Sequence, residues 1–313
     1  MLLTYVIARR LFDRRVAALG SMALALFPGQ IYFSSLVMTE TFFALVFLLA
    51  FLLTVLWTLE RDGAWWQVLI LGLVVGFAAL IRSEAVFLVP IIGLLWLLAV
   101  RPWGRLLRYV PALLLGVALV LTPWTVRNAI QLDEFVPLRE GSQQGLAAGL
   151  NPDFSEASLR GLLAFRIPAP PLGESLTHWL THPWEIPSFV ALKLRMLYED
   201  DADGIAWAQT NPRYLSEREE RLWSNLANGY FFAVGALALL AIPRCVLSGR
   251  QGQLALVVVG IGWSLVFVPF IPETRYHFPL VPLLSILAAA SVVMLWEHAV
   301  RLRGTGEAVT AEA

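Results

Sequence analysis

Residues 272–282 read PETRYHFPLVP and set Glu273, Arg275, Tyr276 and His277 side by side between two long apolar runs. Similar polar groups recur at other run ends: Thr39 and Glu40 in SSLVMTETFF, Arg82, Ser83 and Glu84 in LIRSEAVF, and Arg127 and Asn128 in TPWTVRN. A guanidinium stays charged in any setting and offers two parallel donors, which suits Arg275 and Arg82 to phosphate oxygens. Carboxylates such as Glu40 could act as a general base or hold a divalent metal near the same phosphate. Each residue also has a plainer reading. Glu40 could stabilise the start of a helix beside Thr39, Arg82 and Glu84 could form an interfacial ion pair, Arg275 could snorkel to headgroups, and His277 could be a hydrogen-bonded boundary residue.

The elements that must position these groups are apolar helices. Hydrophobic residues make up 58% of the 313, charged residues only 15%, and mean hydropathy is +0.70, beyond the range of a soluble domain. The composition predicts an all-α polytopic membrane protein. Apolar segments fall near 16–36, 40–58, 66–82, 85–100, 107–124, 226–243, 253–271 and 277–297, about eight transmembrane helices. Five would lie in residues 1–124 and three in 226–300, with a tail at 301–313. Between them, residues 125–225 are polar and proline-containing, and read as an extracytoplasmic insert of mixed structure with helical stretches such as PSFVALKLRMLY. Gly72 and Gly76 form a small-xxx-small pair suited to close helix contact.

Arginine placement sets the orientation. Arg9, Arg10, Arg14, Arg15, Arg61, Arg101, Arg105, Arg108, Arg244, Arg250, Arg301 and Arg303 fall on one side if every segment spans, which puts both termini in the cytoplasm. The candidate polar residues then converge on the opposite, outer face, where an unpaired charge is costly unless hydrated or ligand-bound. A lipid phosphate carrying a transferable group is the ligand that fits that depth. Zero net charge gives no reason to expect a nucleic-acid partner. One cysteine, Cys245, rules out an internal disulfide. HWLTH spaces His178 and His182 for a shared metal, but no third ligand is fixed. EDDAD, from Glu199 to Asp203, reads as a solvated acidic turn.

Four stretches in order, ARRLFDRRVAALGSMALALFPGQIYFSSLVMTET, GLVVGFAALIRSEAVFLVP, LTPWTVRNAIQLDEFVPL with GLAAGLNP, and ETRYHFPLVPLLSILAA, resemble the dolichyl-phosphate-mannose-protein mannosyltransferase-like branch of the GT-C glycosyltransferases. The resemblance implies transfer of a sugar, with inversion, from a polyprenyl-phosphate donor to an extracytoplasmic protein, lipid or glycan. It puts Glu40 at the acidic position of the family's second outer loop and Arg82, Arg127, Asn128, Arg275 and Tyr276 at further motif positions. With the chemistry above, Glu40 is the candidate catalytic residue, Arg275, Arg82 and Tyr276 the candidates for the donor phosphate, and Arg127, Asn128, Glu84 and His277 possible substrate contacts. A divalent metal is possible and no other cofactor is implied. The family normally begins with a further helix and an outer loop carrying the acidic base. Residues 1–8 read as the end of such a helix, so the chain as given is expected to be truncated and possibly inactive. The alternative is a non-catalytic lipid-sugar-binding scaffold or a transporter, which internal repeats and midplane charges would mark.

Overall fold

The computed structural model describes residues 1–133, 135–136, 138, 142–153, 170–209 and 215–311. Among these every regular element is helical. In chain order they are α1 (Leu2–Leu11), α2 (Arg14–Ala25), α3 (Pro28–Ser35), α4 (Thr39–Thr54), α5 (Trp65–Ile81), α6 (Leu88–Ala99), α7 (Leu106–Leu132), α8 (Ser142–Gly149), α9 (Leu172–Thr181), α10 (Ile186–Tyr198), α11 (Asp203–Ala208), α12 (Glu217–Leu247), α13 (Gln251–Val266) and α14 (Val281–Ala311). Short 3₁₀ turns at Ser83–Phe87 and Thr274–Leu280 lead into α6 and α14. The insert expected to be mixed contributes helices and turns alone among its described residues. Both of its expected limits fall inside continuous helices, 124/125 within α7 and 225/226 within α12.

Local chemistry sets the helix ends. Asp13 caps α2 by accepting the Val16 N–H at 2.9 Å. Pro28 takes the first position of α3, where a missing N–H costs nothing. Ser216 and Glu219 form a reciprocal capping box at the start of α12, with the Ser216 N–H donating to Glu219 Oε2 at 2.9 Å. α7 ends at Asp133, which adopts the left-handed conformation (φ 54°) common just past a helix.

Four helical stretches are long and apolar enough to cross a membrane: Thr39–Leu59, Trp103–Leu132, Glu217–Leu247 and Thr274–Leu302. The pair α2 and α3, bent by 57°, makes a fifth if it acts as one span. The other three expected segments are helical but shorter, at Trp65–Ile81, Ser83–Ala99 and Gln251–Val266. At 1.5 Å per residue, the 17 residues of α5 reach about 25 Å, at the lower end of the lengths that cross a hydrocarbon core of about 30 Å. By length and composition four stretches, or five with the bent pair, qualify as crossings, and the three shorter apolar helices account for the rest of the eight expected segments.

The chain forms two compact units. One comprises Met1–Thr41, Ala202–Val257 and Pro279–Ala313. Polar side chains join its helices: Tyr230 Oη donates to the Ala23 carbonyl at 2.8 Å, Gln253 Nε2 to Leu11 at 2.8 Å and Ser291 Oγ to Leu237 at 2.6 Å. The other comprises Phe42–Asp201 and Val258–Phe278. There α5 and α7 meet backbone to backbone at Gly72 and Gly116. A Cβ on Gly72 would lie 2.3 Å from the Leu113 carbonyl oxygen, and one on Gly116 would lie 2.3 Å from that of Leu69. Gly76 continues the contact, so the expected small-residue seam is present.

Main-chain atoms cannot yield as a side chain can. Gly116→Leu is expected to destabilise the folded protein by more than the 1–3 kcal/mol typical of overpacking, read as a lowered melting temperature in detergent, while Gly93→Leu, where a Cβ meets nothing within 4 Å, leaves it unchanged.

Candidate functional site

Arg82 ends α5. Its backbone leaves the helix extended (φ −141°, ψ 119°), with its N–H donating to Ala78 and its carbonyl taking the Ala85 N–H, both at 2.9 Å. The following 3₁₀ turn brings Glu84 Oε2 to 3.8 Å from Arg82 Nε. The expected local ion pair is real, and it is half of a larger group. The Arg82 guanidinium lies 5.0 Å from the centre of the Tyr276 ring and 6.0 Å from that of Phe43, within cation–π range. Arg275 approaches the same tyrosine at 5.9 Å and places Nη2 2.5 Å from Glu273 Oε2. Tyr276 Oη donates to Glu273 Oε1 at 3.3 Å. Glu273, Glu84, Arg82 and Arg275 all act electrostatically on the Tyr276 hydroxyl. Two stretches far apart in sequence thus converge as two cations, two carboxylates and a phenol.

An aromatic column supports the phenol. Tyr276 stacks on Phe267 (ring centres 4.8 Å apart, 25° between planes), and the Trp263 indole N–H donates to the Tyr276 carbonyl at 3.0 Å. Phe43 and Phe47 pack on Trp263 at 5.5 and 5.1 Å. Buried aromatic contacts of this kind contribute about 0.5–1.5 kcal/mol each beyond burial.

The non-helical stretch before Glu273 is fastened by the insert. Lys193, on α10 and 1% exposed, donates from Nζ to the Phe270 carbonyl at 2.9 Å. Gly149 at the end of α8 comes so close that a Cβ there would lie 2.4 Å from the Pro269 carbonyl oxygen. Trp179 donates to the Leu150 carbonyl at 2.8 Å and joins Phe189, Leu192, Met196, Val268 and Ile271 in one apolar cluster. Burial pulls the Lys193 ammonium down from 10.5 to about 7.

His277 belongs to this fastening and not to the charged group. Its ring is 2% exposed, with Nδ1 at 2.8 Å from the Leu197 carbonyl and Nε2 at 3.0 Å from Asp201 Oδ1. Tyr198 stacks on it at 5.7 Å. Tyr198 Oη donates to Ser264 Oγ at 2.5 Å, because the serine proton is spent on the Gly260 carbonyl. The EDDAD turn therefore is not wholly solvated. Asp201 is 4% exposed, drawn in by an imidazole the sequence separates from it.

Arg127 and Asn128 serve the end of α7. Arg127 Nη1 donates to Asn128 Oδ1 at 3.1 Å and lies 5.2 Å over Trp124, while the buried Asn128 amide donates to the Val136 carbonyl at 3.1 Å. Glu40 sits in the first turn of α4, 3% exposed, where the helix dipole favours a carboxylate. His178 and His182 stack at 4.5 Å, and His178 Nε2 pairs with Glu185 at 3.0 Å. Among the described residues no group of three or more His, Cys, Asp or Glu side chains is arranged to hold a metal ion. Sequence reasoning missed Lys193 and Asp201, although a lysine inside the apolar helical pattern of PSFVALKLRMLY is a visible signal.

Residues 1–126 match the family model described as dolichyl-phosphate-mannose-protein mannosyltransferase. The match supports the GT-C mannosyltransferase-like resemblance carried by the sequence stretches, and with the apolar helices it supports an integral membrane protein. It includes Glu40, Arg82 and Glu84, ends just before Arg127, and does not reach Arg275 or Tyr276. No curated protein and no solved structure matches the chain.

The Lys193 ammonium gives a signed pH test. Between about 7 and 10.5 the unfolded chain binds a proton that the folded chain does not, so the contribution of this group to stability rises with pH across that window and is flat below it. Lys193→Met removes the rise. The melting temperature of the wild type relative to K193M is expected to climb from pH 7 to pH 10, measured in one detergent at fixed ionic strength.

Proposed function

We propose that the chain acts as a membrane glycosyltransferase of the GT-C type, moving a sugar with inversion from a polyprenyl-phosphate-linked donor to an extracytoplasmic protein, lipid or glycan. The observation that carries this reading is the meeting of Arg82 and Arg275 at Tyr276, in a chain of apolar helices whose first 126 residues match the mannosyltransferase family model. In this reading the bent pair α2–α3 and the three shorter apolar helices cross as well as the four long ones, so both termini are cytoplasmic and residues 125–225 face outward.

As the bond between anomeric carbon and phosphate oxygen breaks, negative charge grows on the departing lipid phosphate. Preoriented cations in a water-poor setting stabilise that charge without having to reorganise. Glu84 and Glu273 hold the two guanidinium groups before the donor arrives, and the phosphate oxygens take over their donors when it binds. Tyr276 supplies a hydroxyl donor at the same place. Glu40 is the candidate acid–base residue, acting on the acceptor alone or beside an acidic residue of the first outer loop that the family resemblance implies. A divalent cation at the phosphate belongs to the proposal, and a chelator titration of the reconstituted reaction measures it.

Arg275→Ala and Arg82→Ala, reconstituted in liposomes with radiolabelled polyprenyl-phosphate sugars, test the assignment. Loss of Arg275 is expected to lower transfer by a factor of about 100 or more, the scale set by removing one donor to a developing anion, with insertion and melting unchanged. Wild-type transfer by R275A overturns the assignment. Tight binding of the labelled lipid by the wild-type chain with no transfer to any acceptor favours the scaffold reading.

A further inference from the structure

The phosphate reading assigns no task to the buried pair on the other side of the RYH stretch. We propose that Asp201 and His277 are positioning residues that fix Arg275 and Tyr276 at the donor phosphate by locking the rotation of the 3₁₀ turn Thr274–Leu280 against α10.

The geometry defines the pair closely. The Leu197 carbonyl can only accept, so His277 Nδ1 carries a proton and donates it. Nε2 and Asp201 Oδ1, 3.0 Å apart, then hold one further proton between them, as imidazolium and carboxylate or as imidazole and carboxylic acid. Both ring nitrogens are therefore engaged by the end of α10, one by its backbone and one by the side chain just beyond it. With side chains 2% and 3% exposed, neither partner has water as a substitute. A 3₁₀ turn has three residues per revolution, so pinning His277 sets Arg275 about 240° round the same axis. That places the guanidinium away from α10, where it meets Glu273 and flanks the Tyr276 ring. The contact of Tyr198 with Ser264 holds the same helix end to α13, so the turn is registered on both flanks.

This inference rests on the donor-phosphate reading, and a double-mutant cycle separates the two. The readout is affinity of the full-length protein for a water-soluble prenyl monophosphate, together with KM for the donor. D201A removes the Nε2 partner of His277 and is expected to weaken both by about tenfold, within the roughly 100-fold that a 1 Å misplacement can cost. D201N keeps the bond, since its amide N–H donates to the neutral ring, and is expected to stay within about threefold of wild type. R275A weakens binding by itself, and D201A added to R275A is expected to cost clearly less than D201A does in the wild type, because most of the aspartate's effect passes through the arginine and only the share carried by Tyr276 remains. If D201A does not fold, D201S, which keeps a hydroxyl in the buried site but shortens its reach, replaces it in the cycle. Additive losses, or a D201N variant as impaired as D201A, overturn the positioning role. Normal binding and transfer by R275A overturn the phosphate reading instead, whereas loss by R275A with none by D201A leaves that reading standing and removes this inference.

Discussion

One carbonyl carries much of the architecture around the charged group. Residues 267–273 leave α13 without entering another helix, and in an apolar setting each unpaired main-chain group there is expensive. Lys193 meets the Phe270 carbonyl with a buried ammonium, and the end of α8 presses on the neighbouring Pro269. The lysine is held largely desolvated to do this, which explains why its affinity for a proton falls. Once this stretch is anchored, Glu273, Arg275 and Tyr276 emerge from a fixed point. The insert is therefore part of the wall of the charged group, through α8 and α10, and not merely a lobe between membrane helices.

The charged group itself is balanced, with two guanidinium groups facing two carboxylates around a phenol. Balance lowers the cost of keeping Arg82 and Arg275 partly buried, at 13% and 23% exposure, in the absence of a ligand. The aromatic faces of Tyr276 and Phe43 add attraction without competing for guanidinium hydrogen bonds.

The sequence shows which charges lie at helix ends, because an apolar run makes any polar residue at its edge conspicuous. That signal finds Arg82, Glu84, Arg275 and Tyr276, which the structure brings together, and Gly72, which sits in a seam of close contact. It does not tell which way a residue faces around a turn. His277 and Tyr276 are adjacent in sequence, yet one pairs with Asp201 and the other with the charged group. For the same reason Asp201 is indistinguishable from its half-buried acidic neighbours in EDDAD until a distant histidine selects it. Nor does that signal show the local bonds of Arg127 and Asn128, of which the first donates to the second and the second to the Val136 carbonyl beyond α7. Hydropathy also sees apolar runs but not bends: the run at 16–36 reads as one segment, whereas Pro28 starts α3 at a 57° break within it.

The Gly72–Gly116 contact has a mechanical consequence. With main chain seated on main chain, α5 and α7 lack the compressible layer of side chains that lets packed helices slide, and they behave as a single stiff strut. Arg82 stands at the tip of that strut. Arg275 stands on a short turn held by buried side-chain hydrogen bonds to the end of α10. The two cations that share a tyrosine are thus fixed by different means, one by main chain packed on main chain and the other by a pair of side chains that a single substitution can remove.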